Sequence, residues 1–134
     1  MRYLLDTDTC VFLLKGAPEV EQQRLSVGVD TVAISVITQA ELTFGAYNSQ
    51  RVQSNLERVA TFCAGLTVLP VSAGVVDAFG QLKADLVRRG EPLEDFDALI
   101  AATALAYDLT LVTGNEEHFK RVPNLRRQNW IRTI

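Results

Sequence analysis

Four short apolar runs, at residues 3–5, 32–35, 67–69 and 110–113, recur along the chain, and helical spacing fills most of the intervals between them. Runs this short read as buried strands, because a parallel strand is covered on both faces and loses the polar alternation of an exposed sheet. Residues 50–64 put Val52, Leu56, Val59 and Cys63 on one helical stripe before Gly65. Residues 73–89 put Val76, Phe79, Leu82 and Leu86 on another before Gly90. Glycine just past the last turn is a common helix stop. From about Asp95 to Tyr107 the chain is apolar nearly all round over residues 98–106, as in a helix buried on every side. Strand and helix in repetition imply right-handed crossovers and a mainly parallel sheet. The expected fold is α/β, a three-layer α/β/α domain around a central, mainly parallel sheet of about five strands.

With 134 residues, 48% of them hydrophobic, the chain can bury one core without disulfides or a structural metal, so a single domain over 1–134 is expected. Cys10 and Cys63 are isolated and read as small buried hydrophobes. No apolar run approaches the roughly 18 residues of a membrane span, and Asp6 comes too early for a signal peptide. A cytoplasmic protein without membrane contact is expected.

Ligands of open parallel sheets bind beyond the carboxyl ends of the strands. The first strand runs directly into Asp6-Thr7-Asp8, with Asp8 on the face of Asp6 if the strand continues. Asp6 equally fits as the N-cap of a helix over Thr9 to Lys15. Behind the second strand, Thr38-Gln39-Ala40-Glu41 fits an S/T-x-x-E capping box, which also holds Glu41 at a helix start beside Asp6. Glu91, Glu94, Asp95 and Asp97 precede the apolar helix; Asp95 is its natural N-cap, whereas Asp97 falls in its first turn, where a buried carboxylate is costly unless paired or metal-bound. After the last clear strand, Asn115 serves either as a cap or as a group orienting a ligand or water. His118 lacks a spaced partner and reads as a surface or packing residue.

Each acid has a structural use, yet one sheet edge receives Asp6, Glu41, Asp97 and Asn115 from four separate segments. Carboxylates gathered in this way repel one another unless a cation neutralises them. An oxygen-only set suits Mg²⁺, or Mn²⁺, rather than zinc. Such an ion binds phosphate oxygens and activates water, so phosphodiester hydrolysis is the expected reaction. No Walker A, GxGxxG or GxSxG motif points elsewhere. A receiver-type phosphoacceptor domain also collects acids at such an edge, but needs an acid after the third strand, where this chain reads Leu69-Pro70-Val71-Ser72. A catalytically silent binding module of the same fold is the other alternative, and the intact acid set argues against it.

The net charge of −3 does not announce a nucleic-acid binder. Its distribution is uneven: after His118 come Lys120, Arg121, Arg126, Arg127 and Arg132, with no acidic side chain. That tail fits either phosphate tracking or a solvated surface.

In this order the motifs resemble the PIN-domain family, and in particular the VapC toxins of bacterial toxin–antitoxin pairs. The pieces are Leu5-Asp6-Thr7; Ser35 to Leu42 followed by Gly45-Ala46; Asp97 leading into Leu99-Ile100-Ala101-Ala102; and Leu111 to Asn115 leading into Phe119 to Leu125 and Trp130. The resemblance implies a Mg²⁺- or Mn²⁺-dependent endoribonuclease with Asp6, Glu41 and Asp97 in the acidic cluster and Asn115 at a variable fourth position. It also implies a homodimer, a VapB-type antitoxin whose C-terminal segment lies along the active-site groove, operator DNA bound only through that complex, and tRNA, initiator tRNA among them, as substrate. Three departures stand out: Asp8 where relatives usually read LDTN, Leu93-Glu94 where many read Ile-Gly, and Asn115 in place of an acid.

Overall fold

The computed structural model describes residues 1–131, so Arg132 of the basic tail lies outside the described residues. Among the described residues, β1 (Tyr3–Leu5), β2 (Val32–Ser35), β3 (Thr67–Leu69), β4 (Thr110–Val112) and β5 (Arg127–Gln128) form one sheet in the order β3-β2-β1-β4-β5. Every pairing is parallel. The helices are α1 (Thr7–Leu14), α2 (Pro18–Val27), α3 (Val36–Tyr47), α4 (Val52–Ala64), α5 (Ala73–Arg88), α6 (Asp95–Ala106) and the short α7 (Glu116–Phe119). A 3₁₀ turn at Val29–Thr31 leads into β2.

The period-two alternation of strand side chains splits the interior in two. Tyr3, Leu5, Val32, Ile34 and Val112 pack on one face with residues of α1 to α4, among them Cys10, Val20, Leu42 and Val59. Leu4, Ala33 and Leu111 face the opposite way, onto α5, α6 and α7 through Leu86, Ala98, Ala101 and Phe119. This is the expected three-layer arrangement. The apolar α6 is the most enclosed helix, with Ala98, Ile100, Ala101, Ala102, Thr103 and Ala104 all buried.

Several details differ from the sequence expectation. On α5 it is Val75 that is fully buried, whereas Val76 is 58% exposed, because the stripe facing α6 begins one residue earlier. The β1 strand stops at Leu5, so Asp8 does not share a strand face with Asp6; it lies exposed in the first turn of α1. Neither α2 nor β5 announces itself: α2 buries only Val20, and β5 is a two-residue edge strand of polar side chains. No helix among the described residues is long and apolar enough to cross a membrane.

Candidate active site

The β1 ladder continues one step past its last strand residue, for the Asp6 amide donates to the Val112 carbonyl at 3.0 Å. That bond sets Asp6 at the carboxyl end of the central strand, where it is 5% exposed. Its Oδ1 accepts from the Thr9 amide at 2.9 Å and so caps α1. The cap role and the edge position coexist. Burial pushes the Asp6 carboxyl above the ordinary aspartate range; the hydroxyls and amide of Thr113 and Thr9 pull the other way, and nearby Asp8 adds to the rise.

Glu41 does not complete a capping box. Ser35 is the N-cap of α3, its Oγ accepting from the Ile37 amide at 3.0 Å, so the helix starts earlier than the Thr38 motif implied. Glu41 therefore sits in the second turn, half-buried, free of any backbone cap. Its Oε1 instead accepts from the Thr7 hydroxyl at 2.7 Å, which also lies 3.2 Å from Thr38 Oγ1.

Asp97 occupies the first turn of α6, as expected. Asp95 is not the N-cap: Glu94 holds that place without a side-chain bond, and Asp95 pairs with Lys83 at 2.8 Å. Burial raises the Asp97 carboxyl above its ordinary range, Glu94, Glu41 and Asp6 raise it further, and only His118 opposes them. Asp97 thus feels both other members of the trio.

Asn115 precedes α7 and caps nothing with its side chain; its Nδ2 lies 2.7 Å from His118 Nδ1. The same imidazole nitrogen is 3.7 Å from Asp97 Oδ2. His118, read from sequence as a surface or packing residue, is therefore exposed but part of the acidic edge. The i, i+3 spacing of Asn115 and His118 across a helix start is the signal that would have linked them. Sequence reasoning also missed the buried hydroxyls of Thr9, Ser35, Thr38 and Thr113, fully enclosed around this edge. Ser35 and Thr113 are each the last residue of an otherwise apolar run, which is the sequence signal for a polar group at the strand's carboxyl end.

The electrostatic balance is one-sided. Six other acids, Glu21, Asp85, Glu91, Asp95, Glu117 and Asp108, pair with a lysine or arginine, whereas among the described residues no lysine or arginine pairs with Asp6, Glu41 or Asp97. The donor set, three carboxylates short of positive charge, fits a hard divalent cation. The side chains are not yet gathered: among the described residues, no three acidic, histidine or cysteine side chains converge tightly enough to hold an ion. Glu41 is turned onto Thr7 and Asp97 toward His118.

The tail cations do not form one stripe. Lys120 pairs with Glu117, and Arg121 donates to the Pro92 carbonyl in the loop leading to Asp97. Arg126 binds Asp108 before β4, at the amino edge of the sheet, opposite the acids. Arg127 lies in β5, its Nε buried without a partner among the described residues. From Glu41 an apolar groove of about 300 Å³ runs between α1, α3 and α4, lined by Val11, Leu14, Leu42 and Ala46 among others.

Comparison with known proteins gives a consistent picture. Residues 3–125 match the PIN domain family. The chain is 35% identical over 130 residues to the tRNA(fMet)-specific endonuclease VapC of Shigella flexneri, covering 97% of this chain and 98% of that one. It is 36% identical over 132 residues to ribonuclease VapC2 of Rickettsia felis, with coverage of 97% and 98%. In three dimensions it superposes with a TM-score of 0.93 on a chain of the DNA-bound VapBC structure from Salmonella typhimurium, at 35% identity over 98% of this chain and 99% of that one.

Proposed function

Because the chain belongs to the PIN-domain family, we propose that it is a VapC-type endoribonuclease toxin that hydrolyses tRNA and uses Asp6, Glu41 and Asp97 as a divalent-metal site. The carrying observation is the uncompensated acid set: three carboxylates delivered by separate segments to one sheet edge, with no lysine or arginine paired to them among the described residues.

Asp6 and Asp97 would hold Mg²⁺ or Mn²⁺, and Glu41 would complete the set or orient the attacking water. When bound, such an ion neutralises charge at the phosphate and makes a bound water a stronger nucleophile. The chain's own residues do the positioning. The Thr9 amide and the Thr113 hydroxyl aim the Asp6 carboxylate, Thr7 holds one oxygen of Glu41, and the Asn115 amide stands across the edge from them. The buried hydroxyls of Thr9 and Thr113 support Asp6 without adding charge.

The partner follows from the same family position. VapBC complexes are among the structures this chain resembles, and the groove that opens at Glu41 is apolar, as a peptide-binding groove should be. A VapB-type antitoxin segment lying there would cover Glu41 and block the site, and operator DNA would be bound through the antitoxin.

Expression without an antitoxin should arrest growth while cutting tRNA. Replacing Asp6 or Asp97 with Asn should lower cleavage by about 100-fold or more and relieve the arrest. Undiminished cleavage by either variant rules the site out; sequencing the RNA ends after brief induction identifies the substrate.

A further inference from the structure

The proposed chemistry gives His118 no task, yet its geometry beside Asp97 is specific. Its Nδ1 lies 2.7 Å from the Asn115 amide nitrogen, from which it accepts in the tautomer that leaves Nδ1 unprotonated. The same Nδ1 atom lies 3.7 Å from Asp97 Oδ2. Two donors each about 2.1 Å from one cation stand roughly 3.0 Å apart at a right angle and roughly 3.6 Å apart at 120°. The Asp97–His118 separation is therefore close to what one shared ion requires, before any rotamer change.

Asn115 supplies a third donor. A half-turn of its amide replaces Nδ2 by Oδ1, which either accepts from His118 in its Nδ1–H tautomer or, with Nδ1 unprotonated, shares a cation with it. A carboxylate oxygen, an imidazole nitrogen and an amide oxygen then converge from α6 and the start of α7. Among the side chains of α7, His118 is the one that lies against Asp97, while Glu117 is turned onto Lys120.

Resting on the metal-site reading, we propose that His118 is a direct ligand through Nδ1, sharing the ion with Asp97 and biasing the site toward Mn²⁺ over Mg²⁺. Imidazole favours the later first-row ions, whereas Mg²⁺ prefers oxygen donors and keeps its water.

His118 is the only histidine in the chain, which makes the test selective. The full chain, without a histidine tag and stripped of metal, is loaded with Mn²⁺ and studied by electron spin-echo envelope modulation. Directly bound imidazole gives a ¹⁴N modulation, and labelling histidine alone with ¹⁵N should replace it. His118→Gln should abolish that modulation, weaken Mn²⁺ binding by about tenfold and leave Mg²⁺ binding within about twofold. Mn²⁺ bound with a spectrum indifferent to the ¹⁵N label overturns the ligand role of His118 alone. Failure of the wild-type chain to bind Mn²⁺ at all overturns it together with the metal site.

Discussion

At the scale of single residues, the acids of the site are held at a cost. Asp6 and Asp97 both titrate above the ordinary aspartate range, chiefly through burial. Between the unfolded and the raised folded value, the native chain holds more protons than the unfolded chain. Stability from these groups therefore falls as pH rises through that window, and the penalty stands in full above it. In metal-free protein Asp97→Asn should raise Tm at pH 7 by roughly 2–4 °C, the scale of about 1 kcal/mol in a chain of this size. The gain should vanish as pH falls below the ordinary aspartate pKa. Adding Mg²⁺ should reverse the order, because ligand binding stabilises only the chain that retains the site. Thermal melts of both proteins across pH, with and without the ion, check each part; a metal-free Asp97→Asn chain less stable at pH 7 would contradict the burial argument. Asp6 and Asp97 were legible as candidates because each follows an apolar element directly or opens one. The link from Asp97 to the Asn115–His118 pair was not, since it joins α6 to α7 across a strand and a tight turn that no spacing rule connects.

At the scale of elements, what positions the acids is where helices begin. Ser35 both ends β2 and caps α3, so one hydroxyl sets the rotation that brings Glu41 to Thr7 in the second turn. The capping-box motif at Thr38 pointed to a later start because sequence alone cannot weigh two competing caps three residues apart. Ser35→Ala should cost about 1 kcal/mol of stability and, by loosening the first turn, lower cleavage more than Tm; denaturant melts alongside RNA-cleavage rates test the pairing. A variant that loses stability but keeps its full rate would show that Glu41 is placed by Thr7 instead. The long helices α4 and α5 were readable because burial imposes a period on them, and α6 and the four short strands because their runs are apolar with little interruption. By contrast, α2 carries polar residues around almost its whole circumference, and β5 owes its strand form to pairing with β4 rather than to its own side chains. Burial of Val75 rather than Val76 marks the limit of periodicity: two adjacent valines permit two phases, and packing against α6 chooses one.

At the scale of the whole molecule, the sheet separates charges along its axis. The uncompensated carboxylates gather at the carboxyl edge, while Arg126 is spent on Asp108 at the opposite one. A chain of net charge −3 whose tail cations are divided in this way has little generic attraction for a polyanion. RNA recognition must then come from a few cations near the site, and its salt dependence should be shallow. Arg121, beside the loop that carries Asp97, and the neighbouring Lys120 are the tail cations placed to meet a phosphate there, while Lys15 and Arg58 line the groove at Glu41. Removing one phosphate-binding side chain should reduce the slope of log K against log salt by about 0.7 for single-stranded RNA. Lys120→Ala and Arg121→Ala, made in an inactive Asp6→Asn background, should each show that reduction, whereas Arg126→Ala should leave slope and affinity unchanged. Equal losses from all three would mean that the tail acts as one diffuse basic surface wrapping both edges of the sheet; unequal losses in the stated order tie RNA to the edge where the carboxylates stand.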